Sequence, residues 1–383
     1  MSTTHACPSC GSTELTEITG FGHLPRVTSD SKPFPAGGKL FVCSGCGLVQ
    51  KRVDALWLEE IGRIYRDYEM YHQSTAIDQV VFDPVSGKPS GRCEILSRHL
   101  MQSGLLGKQG TLLDVGAGSG AMLSAFSGTA DGWTLHGLDL DDRRKAALEQ
   151  IPRFSRLYTV PPEQVGERFD LVSLIHSLEH FTDPVGMLRS LKERVAEGGK
   201  LFVQVNNAAV TPFDLVVADH LCHFSEHTLK DMVVRSGLGV ALSSTHWINK
   251  ELSLLAGASQ SPSPSTDESP ADALKRATAQ VAWLSGVLDG ARQAAKQGRI
   301  GLFGSSVAAT WLAAGLGDAV SFFVDEDPGR AGRQHMGRPI LRPDEVPAGS
   351  TVYLAFLRVI ADSISQRLST LPITWAAPSA ALG

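Results

Sequence analysis

The residues best suited to chemistry fall into three groups: a glycine turn flanked by acids, an acid–histidine segment, and two cysteine pairs. Residues 112–120 read Leu-Leu-Asp-Val-Gly-Ala-Gly-Ser-Gly, an apolar run that delivers Asp114 and then alternates Gly116, Gly118 and Gly120 around Ala117. Only residues without a Cβ enter such a turn freely, and the helix-compatible residues 121–126 that follow would aim their amides at whatever lies over it. A second apolar segment, 133–138, ends in Asp139 and Leu140. An acid at that strand tip is where nucleotide-binding α/β folds hydrogen-bond a ribose diol. Further on, Asp219-His220-Leu221-Cys222-His223-Phe224-Ser225 places two imidazoles beside a carboxylate after the predicted fifth strand. Imidazole titrates near neutrality, so it can hold a lone pair and then accept a proton.

The spacing of the glycines discriminates between cofactors. A dinucleotide fingerprint is Gly-x-Gly-x-x-Gly with a pyrophosphate on the helix N-terminus. Here the run is Gly116-x-Gly118-x-Gly120, with Asp114 two residues before it. That carboxylate would repel a pyrophosphate but accept hydrogen bonds from an ammonium, which S-adenosylmethionine carries. The stretch resembles motif I of class I S-adenosylmethionine-dependent methyltransferases. The competing reading is a doubly wound domain whose glycine turn holds no ligand.

The next segments extend the resemblance. Residues 168–175 form an apolar strand, followed by His176-Ser177-Leu178-Glu179-His180 and by Asp183-Pro184, which suit a helix N-cap and first turn. That helix is expected through about Val195, with a fifth strand at 200–205. In the family resembled, residues after the fourth strand line the methyl-transfer pocket, which implies His176 as a cofactor contact and His180, with Glu179, near the acceptor. Packing or capping is the alternative for each.

The cysteines address a separate question. Cys7-x-x-Cys10 and Cys43-x-x-Cys46, each followed by glycine, can place four thiolates around a structural zinc with no coordination position left for chemistry. Two disulfides compete, and a reducing cytoplasm disfavours them. Cys93 and Cys222 stand apart as small apolar residues.

These groups need elements to position them. The 383 residues suit two or three domains, and 43% hydrophobic with 20% charged residues is the balance of a globular chain. The chain has no apolar run of membrane-spanning length and no apolar signal core near its polar start, so a cytoplasmic location is expected. A net charge of −5 argues against a sequence-independent nucleic-acid binder. The expected organisation is a zinc module (1–55), a Rossmann-like α/β methyltransferase core (56–255), a Ser/Pro linker (256–270) and a second, smaller Rossmann-like domain (271–383). A helix is expected over 56–71, carrying Tyr65, Tyr68 and Tyr71. In the last domain the strand–glycine–helix theme recurs at 299–316. Ser305 and Ser306, with Arg330, Arg333, Arg338 and Arg342 in a following loop, suit a phosphorylated ligand or a solvated loop.

In that order, a four-cysteine knuckle, a methyl-donor core and a C-terminal Rossmann-like domain resemble the bacterial sugar C-methyltransferases acting on nucleotide-linked ketosugars. The resemblance implies His220 as general base, Asp219 in place of the family's glutamate and His223 in place of its tyrosine, with Tyr71 contributing from the N-terminal tyrosine segment. A nucleotide-sugar or glycan-precursor substrate is therefore expected. O- or N-methylation, an RNA methyltransferase, and a donor-binding scaffold without turnover are the other readings.

Overall fold

The computed structural model describes residues 6–67, 78–82, 89–258 and 268–378. At its centre are seven strands: β1 (Gln109–Val115), β2 (Gly132–Leu138), β3 (Phe154–Tyr158), β4 (Phe169–Ile175), β5 (Val195–Asn206), β6 (Gly239–Ser244) and β7 (Glu251–Gly257). Their spatial order is β3-β2-β1-β4-β5-β7-β6. β7 runs antiparallel to both of its neighbours, and the remaining pairs are parallel.

Consecutive strand residues serve opposite faces. Leu112, Leu171 and Phe202 pack with Ile95, Leu96, Leu123 and Phe126 from the helices Arg92–Gln102 and Ala121–Thr129. Leu113, Val172 and Val203 pack on the other side with Leu188, Leu191, Leu229 and Met232 from Pro184–Lys192 and Glu226–Arg235. A sheet covered on both faces needs continuous apolar strands, and β7 is buried throughout. The Asp183 side chain accepts from the Gly186 amide, with Pro184 in the first turn, as the sequence leads one to expect. The helix stops at Lys192, short of Val195, because Val195 pairs with Phe169 and opens β5.

The N-terminal sheet consists of Leu15–Glu17, Leu40–Cys43 and Val49–Lys51, joined antiparallel by Cys222–His223. The acid–histidine segment is thus a strand of the cysteine module, not a loop of the central sheet alone. Arg26, 1% exposed, is held there by a two-pronged ion pair to Glu60 at 2.7 and 2.8 Å and by the Pro35 carbonyl. The helix expected over 56–71 spans Ala55–Arg66, and Tyr68 and Tyr71 lie outside the described residues.

β7 continues two residues beyond the expected core boundary. Ser269 caps the helix Pro270–Ala295. This helix buries Ala273, Ala277, Val281, Leu284, Leu288 and Ala291 on one stripe. A second sheet follows: β8 (Ile300–Phe303), β9 (Val320–Val324), β10 (Arg338–Leu341), β11 (Thr351–Tyr353) and β12 (Thr374–Ala376). These five are parallel in the order β10-β9-β8-β11-β12, with Gln334–His335 antiparallel on β10. The first five strands of the central sheet have the same order. One hydrophobic cluster joins Phe21, Val27 and Val49 of the N-terminal module to Leu284, Trp311 and Phe323 of the C-terminal part. The two ends of the chain therefore share a core, bound further by Trp311 Nε1 donating to the Pro25 carbonyl at 2.6 Å.

Candidate functional site

β1 carries Asp114 to the ligand-facing edge of the sheet, beside Ser173 on β4, and Ser173 Oγ donates to it at 2.6 Å. Burial pushes Asp114 up to about 7, the Ser173 bond pulls it back, and the Asp139 charge adds to the rise. Asp139, at the end of β2, accepts from the Gly118 amide at 2.9 Å and the Asp141 amide at 3.0 Å, so it braces the glycine turn. Gly120 has φ +80°, and a Cβ there would stand 2.5 Å from Leu148 Cδ2 and 2.7 Å from Ile151 Cδ1. Gly120→Ala is expected to cost about 1–2 kcal/mol for the left-handed backbone and about 1–3 kcal/mol for overpacking. Chemical denaturation should show that loss; an unchanged unfolding midpoint would contradict it. Leu140 is 76% exposed beside Asp139.

β7 is antiparallel, so its first residues share an edge with the ends of β4 and β5. Glu251 faces Asn206 across that register, and Ser253 faces Gln204. A buried polar row results: Arg92 Nε to Glu251 at 3.0 Å, Glu251 to His176 Nε2 at 3.1 Å, and His176 Nδ1 to Glu179 at 3.3 Å. Gln204 donates through Nε2 to Glu251 at 2.7 Å, and its Oε1 accepts from the Ser253 hydroxyl at 2.6 Å. Burial and Arg92 oppose a charge on His176, but Glu251 and Glu179 more than offset them and lift it to about 9. His176 is thus an ionic tether between β4 and β7, facing the cleft from a left-handed backbone at φ +48°.

The second cluster gathers on Asp214, from the short helix Pro212–Val216. Asp214 Oδ1 accepts from His220 Nδ1 at 2.8 Å and from Asn206 Nδ2 at 2.9 Å. Its Oδ2 accepts from His223 Nδ1 at 2.7 Å. Burial opposes the charge, yet both histidines hold Asp214 well below the usual carboxylate range. His220 is raised: burial lowers it, and Asp214, Glu179 and Asp219 overcome that. His180 stands edge-on to His220 with ring centroids 4.8 Å apart, and its Nδ1 lies 3.0 Å from both Tyr65 Oη and the Asp219 carbonyl.

A cavity of about 690 Å³ opens on these groups, lined by Asp114, Gly116, Ala117, His176, His180 and His220 on the central side. Gly118, Gly120 and Asp139 build the turn at its edge. His223 and Asp219 are buried behind it: His223 between Asp214 and Lys51, Asp219 accepting from the Ser29 amide at 2.8 Å and the Ser29 hydroxyl. Tyr71 lies outside the described residues. The opposite wall comes from the C-terminal part, with Ser306, Val307, Ala308, Arg330, Ala355 and Phe356. Ser306, Val307 and Ala308 follow β8, and Ala355 and Phe356 follow β11, where the strand order of the second sheet reverses, just as Ala117 and His176 follow β1 and β4; Arg330 reaches in from the loop after β9. Lys250 joins both walls, its Nζ 5.8 Å from the centre of the Phe356 ring. Arg330 is paired with Asp325 and Asp327, Arg338 caps carbonyls at the end of β9's approach, and Arg342 pairs with Asp344 and Glu345. The loop expected to present four arginines therefore spends three of them on its own structure.

Sequence reasoning missed Asp214, Arg92, Glu251 and Lys51. Asp214 precedes His220 and His223 by six and nine residues, a spacing that fits neither a helix face nor a strand face, and a short helix followed by a turn closes it.

The four cysteines of the two knuckles are free thiols. Cys7 and Cys46 sulfurs lie 3.6 Å apart, and those of Cys10 and Cys43 3.5 Å apart. All four ligand atoms fall within 4.8 Å of one another. Zinc–sulfur bonds of about 2.3 Å in a tetrahedron put sulfurs about 3.8 Å apart, so the donor set fits that ion. Gly11 and Gly47, both at φ +76°, turn each knuckle, their N–H groups donating to the carbonyls of Cys7 and Cys43, each at 2.9 Å.

Residues 91–242 match the family described as a methyltransferase domain. Among curated proteins, the chain is 31% identical over 118 residues to the ubiquinone biosynthesis O-methyltransferase of Vibrio parahaemolyticus, covering 29% of this chain and 48% of that protein. It is 27% identical over 150 residues to the enzyme of the same name from Pseudomonas savastanoi, covering 36% and 62%. The chain thus spans less than two thirds of the relatives it matches. Among solved structures it resembles a mitomycin 7-O-methyltransferase at 20% identity and TM-score 0.38, covering 44% of this chain and 53% of that one. The matched residues take in most of the central sheet with its helices, and that part of the chain is similar to methyltransferase domains.

Proposed function

We propose that this chain transfers a methyl group from S-adenosylmethionine to a nucleotide-linked sugar, at a carbon beside a ketone, with His220 as the base. The observation that carries this reading is the single cleft shared by two ligand crevices, with the His220 ring on its wall. In open α/β sheets, ligands settle outside the carboxyl ends of the strands where the order reverses. The central crevice takes the donor, with Asp114 set toward its ammonium and Asp139 toward its ribose. The facing crevice offers the open amides of helix Val307–Leu316, whose N-cap makes no side-chain bond, and Lys250 across the gap. Amides and an ammonium in that arrangement suit a diphosphate.

The donor supplies an electrophilic methyl on a sulfonium. What remains for the protein is to orient the acceptor, exclude water and remove a proton. Asp214 holds Nδ1–H of His220, which leaves Nε2 to take the proton beside the ketone. His180, held by the Asp219 carbonyl and the Tyr65 hydroxyl, stands edge-on to the His220 ring and fixes its orientation. The O-methylation named for the relatives favours a second reading, in which the same nitrogen takes a hydroxyl proton. We assign Cys7, Cys10, Cys43 and Cys46 to a structural zinc.

Calorimetry with S-adenosylhomocysteine tests the donor site, and deuterium exchange beside the ketone of a nucleotide ketosugar tests the acceptor chemistry. One equivalent should bind, more tightly as pH rises through about 7, because below that value Asp114 is protonated and offers no charge to the amine. Absence of binding would overturn the assignment. Methyl transfer without carbon-bound exchange would select the hydroxyl reading.

A further inference from the structure

Behind the His220 ring, away from the cleft, lies a row of buried groups that the methyl-transfer reading does not use. Lys51, at the end of strand Val49–Lys51 in the cysteine module, is 2% exposed. Its Nζ lies 2.6 Å from the Val217 carbonyl, 2.7 Å from the His220 carbonyl and 3.0 Å from His223 Nε2. His223 is 1% exposed, and its other nitrogen bonds to Asp214.

Counting donors fixes the protons. Both carbonyls can only accept, so two N–H bonds of Lys51 are committed to them. As an ammonium, Lys51 has a third N–H, which must go to His223 Nε2. That nitrogen then carries a lone pair, and the proton of neutral His223 sits on Nδ1, where it donates to Asp214 Oδ2. Asp214 remains a carboxylate, free to accept Nδ1–H of His220 on its other oxygen, and His220 is left with its lone pair on Nε2. Were Lys51 a neutral amine, its lone pair would demand a proton on His223 Nε2. Neutral His223 would then turn a second lone pair on the Asp214 carboxylate, and the row would break at its centre.

We propose that Lys51 is a positioning residue, contributed by the cysteine module, which sets the tautomer of His223 and through Asp214 that of His220. This deepens the function proposed above and rests on His220 as the base. It also assigns the module a task in the chemistry: the strand from the second knuckle, Cys43–Gly47, leads directly to Lys51, and the same strand pairs with Cys222–His223. Direction of charge agrees. Burial, then Lys51, push His223 down to about 4. Burial also lowers Lys51 to about 7, with Asp214 and Asp219 raising it and Arg26 lowering it. Glu179, Asp219 and His180 face the His220 end.

Ring-nitrogen NMR of histidine-labelled protein tests this without any methyl acceptor. Below about pH 7, where Lys51 keeps its third N–H, native His223 should show the Nδ1–H tautomer and no titration down to about pH 5.5. In Lys51→Met the cation that repels its proton is gone, so the His223 midpoint should rise by about one unit or more, with Nε2–H appearing. His223→Asn keeps a donor facing Asp214 and should preserve the His220 Nδ1–H tautomer, whereas His223→Leu should mix it. S-adenosylhomocysteine binding, measured on each variant, reports the donor site separately, so failure there and failure of the relay are distinct results. A native His223 protonated on Nε2, or spectra unmoved in both Lys51→Met and His223→Leu, would overturn the proposal.

Discussion

His220→Gln should lower turnover by about 10²- to 10⁴-fold, the usual contribution of a positioned general base, while leaving S-adenosylhomocysteine affinity within about twofold. Glutamine keeps a polar tip near Nε2 but has no lone pair basic enough to take a carbon-bound or hydroxyl proton. The pH dependence provides a second check. Asp214, Glu179 and Asp219 outweigh burial and raise His220 above its ordinary value. A base must be unprotonated to act, so kcat/KM should climb with pH through that elevated value and level off above it. The acid limb should vanish in the glutamine variant. A variant that turns over at the native rate would remove His220 from the mechanism. Asp214→Asn should be intermediate, because one amide can still accept from one ring but no longer neutralises either.

Removal of the ion at the cysteine knuckles should produce the largest loss of stability. Structural zinc contributes about 10–16 kcal/mol in small zinc modules, comparable to the whole net stability of a domain, about 5–15 kcal/mol. Cys46→Ser should therefore abolish the one equivalent of zinc that atomic absorption is expected to find. It should also lower the thermal midpoint by about 10 °C or more, since each kcal/mol is worth about 2–4 °C in a chain of this class. The loss should spread beyond the module. Cys43 ends one strand of the N-terminal sheet, Leu40 and Val49 enter the cluster shared with the C-terminal helix, and Lys51 reaches His223. Turnover should fall with zinc content as a chelator is titrated in. Native protein that purifies zinc-free, with the same midpoint and full activity, would refute the assignment.

The glycine turn was legible because it is local. A strand, a positive-φ bend and a helix are written in consecutive residues, and Asp114 and Asp139 are each carried by the strand they end. The second sheet was legible for the same reason at residues 299–324. The cysteine pairs were legible as a donor set, though their convergence on one point required the N-terminal sheet to bring two knuckles together. The helix boundary at Lys192 was misplaced by a few residues because pairing of Val195 with Phe169, a tertiary event, outweighs local helix preference.

The glycine turn, the strand-end acids and the paired imidazoles were readable in the linear chain, since each depends on neighbours within a few positions. Packing of distant segments sets His220 toward the cleft while His223 turns away to Lys51, and makes Asp214, not the adjacent Asp219, their partner. Ala218 and Asp219 form a turn closed by the His220 amide on the Val217 carbonyl, and that turn sends Asp219 to Ser29 and His220 to Asp214. Burial then makes each of those contacts obligatory, because a buried charge or imidazole left without a partner costs more than the fold can spare.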